Sequence, residues 1–231
     1  MVSTTGWLIG GTALCVMAFG LIFGIFFLYK SKKLGADLLK YAGILVIFTG
    51  LFYLGASADF LSVLFIGKNL DNTYGLHGIL AYMWVAPAVI DGIYLGAEII
   101  APEKKKIITT IYGIIGVIFE LFLFLDTNNA FTFALNEDVI DSSFNRSHPT
   151  FFFIAFFLVT VFVFLGIGFL IKAKQATGDI RRKFTFIGLG FMLFVICGGL
   201  DSLVAPGIFL IIVRIGMISY AWLVYLGLKP G

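Results

Sequence analysis

An all-α integral membrane protein, a bundle of seven transmembrane helices, is the fold class this sequence predicts. Three observations predict it. The first is composition. Of 231 residues, 60% are apolar, 17% aromatic and only 13% charged, against roughly a quarter charged in a soluble domain. The mean hydropathy is +1.05. Only lipid solvates such a chain, which excludes a soluble globular domain, a disordered chain and a disulfide scaffold. The second is length. Seven mostly apolar runs, 6–29, 40–66, 74–100, 105–126, 150–172, 183–204 and 207–228, each reach the roughly 20 residues that cross the hydrocarbon. They use nearly the whole chain, so 1–231 reads as a single membrane domain with no soluble one. The third is the placement of basic residues. Lys30, Lys32, Lys33, Lys40, Lys104, Lys105, Lys106, Lys172, Lys174, Arg181, Arg182, Lys183 and Lys229 share one side, and only Lys68 and Arg146 the other. Basic loops stay in the cytoplasm. The N-terminus is therefore expected outside and the C-terminus inside, in a multi-pass protein of the cell membrane.

The elements follow in order. The first run is preceded by Met1–Thr5, which carries no positive charge, and lacks a small-residue cleavage site. It is about twice as long as the apolar core of a signal peptide, and reads as a retained helix. Its glycines Gly6, Gly10, Gly11, Gly20 and Gly24 allow close helix approach, which predicts tight packing or contact with a second copy. The third run carries His77, Tyr82, Trp84, Pro87 and Asp91, then Glu98. Pro87 predicts a kink that turns polar backbone towards a cavity. Trp84 is then a wall of that cavity or a packed aromatic, and His77 an interfacial histidine. The segment 127–149 is the one sizeable loop. It holds Glu137, Asp138 and Asp141, and Ala130 to Leu135 alternates as a strand does. It reads either as a lid over an outer vestibule or as a solvated connector. Asn145-Arg146-Ser147 within it fits a glycosylation sequon. Cys15 and Cys197 fall in apolar runs and read as small buried hydrophobes.

Ionisable side chains inside spans are expensive and face the bundle interior. Here they are Asp59, Asp91, Glu120, Asp201 and Arg214, with His77 near an outer end. At about 1.5 Å per residue, Asp201, Glu120, Asp59 and Arg214 lie roughly 6, 9, 10 and 12 Å below the outer surface. Asp91 lies about 25 Å along the third run, near its inner third. Arg214 is the only cation deep within the membrane and stays charged almost anywhere. It needs a carboxylate partner, Asp201 or Asp59. The cluster is either a structural ion pair or a cation, proton or polar-ligand site.

An internal duplication is also legible. Residues 24–59 align without gaps to 166–201, with ten identities in thirty-six positions. Among them Lys30, Lys32, Asp37 and Asp59 meet Lys172, Lys174, Asp179 and Asp201. The expected plan is 3+1+3, in which runs 1–3 repeat as runs 5–7 around the fourth. Parallel repeats of this kind hold substrates at their interface.

Seven spans, an outside N-terminus and short loops resemble the architecture of microbial rhodopsins. Tyr82, Trp84, Pro87 and Asp91 are similar to that family's Tyr, Trp, Pro and proton-donor carboxylate, at a shortened spacing. Arg214, with Trp222 eight residues on, stands where the retinal lysine and its downstream Trp would. The sixth run lacks Trp-x-x-Tyr-Pro. The resemblance therefore implies the fold without a retinal Schiff base. The 3+1+3 plan resembles the SWEET and PQ-loop transporters in architecture alone, because no Pro-Gln pair is present. Fold by itself does not assign function.

Three functions remain as expectations. The first is a small transporter or channel for a cation, proton or polar solute. Asp59 and Asp201 would be its paired carboxylates, Arg214 its charge gate, Glu120 the neighbouring acid and Asp91 an inner relay. The second is a receptor-like sensor that binds a small ligand in its outer half, near His77 and Trp84, and signals through a partner. The third is a structural assembly subunit with the ionic cluster purely internal. No Cys-x-x-Cys, His-Glu-x-x-His or phosphate-binding loop occurs, and no span has two histidines. No enzyme activity, metal, haem or other cofactor is therefore expected. The expected partners are the bilayer, a second copy, and a cytoplasmic protein or anionic lipid at the basic loops, with no nucleic acid.

The orientation is directly checkable. In a background with Cys15 and Cys197 replaced by alanine, Ser147→Cys should react with an impermeant maleimide on intact cells. Lys105→Cys should react only after the cells are opened.

Overall fold

The computed structural model describes residues 2–204 and 207–229. It is an all-α membrane protein with one small β-hairpin. Among the described residues six helices are long and apolar enough to cross a membrane: α1 (Thr4–Leu34), α3 (Leu76–Ile100), α4 (Pro102–Leu125), α5 (Pro149–Gln175), α6 (Gly178–Asp201) and α7 (Ile208–Leu228). The second run is a bent pair, α2, made of Asp37–Leu51 and Leu54–Ile66 at 48° to each other. Neighbouring spans pack in chain order, α7 returns to α1, and α3 reaches α5 through the middle.

Several helices outrun the apolar segments that announce them. α1 continues through its lysines to Leu34 and stops where Gly35 takes φ 61°, a left-handed conformation that glycine adopts without a steric penalty. α6 begins at Gly178, five residues before its apolar run, and Asp179 there pairs with Lys183 at 3.1 Å. Lysines are good helix formers, so polarity marks the membrane border without marking the helix end.

Four helices are irregular within their length. α3 loses its regular turn at Met83 and Trp84, between Tyr82 and Val85. Pro87 supplies the cause, because a proline clashes with the carbonyl four residues earlier, here that of Met83. The bend of α2 lies between Gly50 and Gly55, the one pressed against Gly20 of α1 and the other against the His77 carbonyl. α1 and α5 each contain a π-turn, at Trp7–Gly11 and Val161–Ile167.

The glycines of α1 serve the packing of α1 on α2. A Cβ on Gly20 would lie 2.7 Å from the Gly50 Cα, and one on Gly24 would lie 2.8 Å from the Gly43 carbonyl oxygen. Backbones this close gain dispersion contacts that a side chain would forbid. At the lysine-rich end, hereafter the basic end, the interior is filled by Phe27, Leu95, Phe169, Ile187 and Val224, all essentially inaccessible.

The long loop folds into a hairpin over the ends of α2 and α3, called the lid below for its position. After a single turn at Thr127–Ala130 it forms β1 (Phe131–Asn136) and β2 (Val139–Phe144), antiparallel, with Phe131 opposite Phe144 and Asn136 opposite Val139. Its base packs on α3 through Tyr82, whose ring lies 4.3 Å from that of Phe144 and 5.2 Å from that of Phe131. Its tip crosses to α1. The Ser3 N–H donates to the Asp138 carboxylate, and the Thr5 hydroxyl donates to Glu137 Oε1 at 2.9 Å. The strand-like alternation seen in the sequence is β1.

Gly20→Leu should lower stability by about 1–3 kcal/mol, the usual effect of overpacking a filled interior. Gly113→Leu, at a position with nothing within 4 Å, should leave it unchanged. Unfolding of the two variants in mixed detergent micelles compares them.

Candidate functional site

The charged candidates divide into separate groups. Arg214 and Asp201 form the first. The guanidinium Nε donates to Asp201 Oδ1 at 3.1 Å. Its Nη1 donates to the Ile9 carbonyl and the Thr12 hydroxyl, and weakly to the Leu8 carbonyl at 3.4 Å. Tyr53 lies under it, its ring centre 5.3 Å from the guanidinium carbon. The acceptors belong to the π-turn of α1. The Leu8 carbonyl also accepts from the Thr12 hydroxyl and the Ile9 carbonyl from the Thr12 N–H, so the guanidinium fork adds a second donor to backbone groups already bonded within the helix. Of the two partners foreseen for Arg214, the structure selects Asp201.

Asp59 does other work. Its side chain is fully buried, yet no cation reaches it. It accepts from the backbone N–H of Ile140 at 2.7 Å and of Leu70 at 2.8 Å, and from the Asn69 amide at 3.2 and 3.3 Å. Asn69 also donates to the Asp138 carbonyl at 2.7 Å. One carboxylate thus holds the lid and the α2–α3 loop together. A buried carboxylate satisfied by N–H donors needs no countercharge of its own. Nearby, His77 is buried with Nδ1 3.0 Å from the Ser142 hydroxyl. The backbone and hydroxyl of Ser3 hold the Asp138 carboxyl below its ordinary pKa. That anchor is present at neutral pH and is released only below the usual carboxylate range.

The remaining candidates stand apart. Both carboxylate oxygens of Glu120 are buried without a hydrogen-bond partner among the described residues, beside the Ala86 backbone. Asp91 Oδ2 is in the same condition near Leu45. Trp84 donates to the Leu80 carbonyl at 3.0 Å and stacks on Phe48, 6.0 Å between ring centres. Among the described residues no three His, Cys, Asp or Glu side chains gather where a metal ion would sit.

A sizeable void lies elsewhere. A cavity of about 540 Å³ opens between α2, α3, α5, α6 and α7. Its deep end is formed by Leu45, Gly92, Leu165 and Phe191, with Thr49 and Tyr220 beside them. The Thr49 and Tyr220 hydroxyls hydrogen-bond to each other. At the hairpin end its rim is Ser143, Phe144, Arg146, Phe151, Ser202 and Leu203. None of the seven charged or aromatic candidates lines it. The breaks in the helices do. Val85, Ala88 and Val89 follow the α3 kink, and Val161 and Leu165 belong to the α5 π-turn. Its size is within the roughly 300–1,000 Å³ of cavities that take small ligands, and its mostly apolar lining with a few polar groups is typical of them. No lysine lines it.

Comparison with known proteins returns no matching family model and no matching curated relative.

Three mutational outcomes follow. Arg214→Met should destabilise the protein by about 3 kcal/mol, because it leaves Asp201 without its cation. Asp91→Asn, at a carboxyl whose Oδ2 is buried without a hydrogen-bond partner among the described residues, should cost about 1 kcal/mol or less. Asp59→Ala should free the lid while leaving the bundle folded, which trypsin cleavage at Lys68 and Arg146, accelerated about tenfold, would report.

Proposed function

We propose that this protein is a receptor-like sensor of the cell membrane, with the hairpin end outside and the basic end in the cytoplasm. It binds a small, largely apolar molecule in the cavity between α2, α3, α5, α6 and α7 and passes its occupancy to a partner at the basic loops. The cavity carries this reading. It opens at the hairpin end and is closed towards the basic end by the packed core around Phe27, Phe169 and Ile187.

The walls of the cavity supply a route for the signal. Its α5 side is a π-turn, an irregularity that converts readily to a regular helical turn and is frequent at functional positions. That helix continues unbroken from Gly168 to Gln175. A shift of one register in the wall turns Lys172 and Lys174 at the other end. A two-state helix of this kind is a standard element of ligand switching. The basic loops complete the route as the docking surface for the partner.

The transporter reading depended on Asp59 and Asp201 acting together. Asp59 is committed to lid N–H groups and Asp201 to Arg214, which is why sensing is preferred. The internal repeat is retained in the proposal. A Cβ on Gly43 would lie 2.9 Å from the Gly24 carbonyl oxygen and one on Gly188 2.9 Å from the Gly166 carbonyl oxygen, so α1 on α2 and α5 on α6 both pack backbone against backbone, with Gly188 three positions beyond Thr185, the residue aligned to Gly43.

Solvent extraction of the purified protein should release an apolar compound that is absent when Leu158→Trp fills the cavity. Adding that compound back at about a hundred times its Kd should raise stability by about 2.7 kcal/mol. Proteoliposomes under a proton or sodium gradient should show no flux above empty ones. Flux that Asp59→Asn and Asp201→Asn both abolish would replace sensing with transport.

A further inference from the structure

The cavity has a side door. The Val161–Gln175 part of α5 lies along α6, whereas the Pro149–Thr160 part packs on α4. The two helices diverge towards the hairpin end, and the cavity lies in the gap. Ile154, Ala155 and Leu158 line it from α5, and Phe194, Gly198 and Ser202 from α6. Ala155, Ser202 and Leu203 line the cavity and are also exposed. They are flanked by Phe152 and Val159, 64% and 62% exposed, on a surface that a bilayer covers. A molecule dissolved in the adjoining leaflet reaches the cavity without crossing water.

The shape and the polar groups restrict what enters. Lining residues on α5 run from Phe151 to Leu165, about 21 Å at 1.5 Å per residue. About 540 Å³ over that length is a slot, not a sphere. Its wall is aliphatic and aromatic except at two places. The deep end has the Thr49–Tyr220 hydroxyls, already paired with each other. The rim has Arg146, which makes no ion pair among the described residues. Two acids at this end are already engaged, Asp126 with His148 at 3.3 Å and Asp201 with Arg214. Of the two basic residues on this side of the membrane, Arg146 and Lys68, one stands on the rim of the slot.

We infer that the ligand is an anionic amphiphile that enters from the bilayer between α5 and α6, lays its alkyl chain along the slot and leaves its head at Arg146. The inference rests on the sensor reading above, because it assumes that the cavity is the binding site. A guanidinium at an apolar mouth attracts a carboxylate or phosphate strongly where water is scarce. The chain gains by leaving the bilayer only through close packing, which a narrow slot provides. The same chemistry is found in a free fatty acid and in an anionic phospholipid.

The test uses the full chain in nanodiscs of phosphatidylcholine with two photoactivatable probes, a diazirine-bearing long-chain fatty acid and its alcohol. The acid should label peptides containing Ala155, Leu158 and Gly198. Arg146→Gln, on an exposed loop position, should reduce acid labelling about fivefold and leave alcohol labelling unchanged. Ala155→Trp, at the door, should reduce both. Equal labelling by acid and alcohol, both indifferent to Arg146→Gln, would overturn the anionic head and leave the sensor reading standing. Acid labelling that survives Ala155→Trp would overturn entry from the side. No cavity labelling by either probe would overturn the inference together with the binding site it assumes. Adding phosphatidylglycerol to the discs separates the sources. Competition assigns the head to a lipid, and its absence assigns it to a single-chain acid.

Discussion

Inside a bilayer a polar group has no water to fall back on, and this architecture is arranged around one group that cannot give up its charge. Arg214 projects from α7 into the region between α1 and α6. It satisfies itself with Asp201 from one and with the Ile9 carbonyl and Thr12 hydroxyl from the other. The guanidinium does more than neutralise a carboxylate. It also donates to the Ile9 and Leu8 carbonyls in the π-turn of α1, so the cation ties α7 to the irregular backbone of α1. With α1 fixed against α6 and α7 at this level, the glycine contacts to α2 define one edge of the bundle, and the lid has firm ground on which its tip can rest.

The opposite edge is built on the reverse principle. Where α1 and α2 exclude all space, α3 and α5 are deformed, by Pro87 in one and by a π-turn in the other. The side chains after those breaks do not interlock across the interior. A cavity of about 540 Å³ is what remains. Close packing is the rule in protein interiors, so an opening of this size beside two helical irregularities is the part of the fold with least contribution to stability and most room for a partner molecule.

The spans were legible because hydropathy over some twenty residues is a strong signal, and the strand-like alternation of β1 was legible for the same reason on a shorter scale. The grouping of the acids was not. Depth along a helix follows from counting residues, but the direction in which a side chain points does not when the helix is apolar on every side. Asp59 and Asp201 are similarly placed along their helices, yet one faces backbone N–H groups under the lid and the other faces a guanidinium. The repeat aligned the two residues without assigning them the same task. Of the seven candidates, the structure brings only Asp201 and Arg214 together. The cavity had almost no sequence signature, because a void is made by residues such as Leu158 and Phe194 that look like any others. Pro87 was its one advance sign.

The Arg214 contact also joins positions 205 residues apart in the chain. α6 enters the membrane before α7 and brings Asp201, whose ion-pair partner is Arg214. That partner arrives with the seventh span. Until then the bundle carries an unmet polar need within the membrane, and the arrival of α7 removes it in one step. Assembly is therefore self-auditing: a chain that stalls before α7 remains marked as unfinished by the carboxylate of its sixth helix.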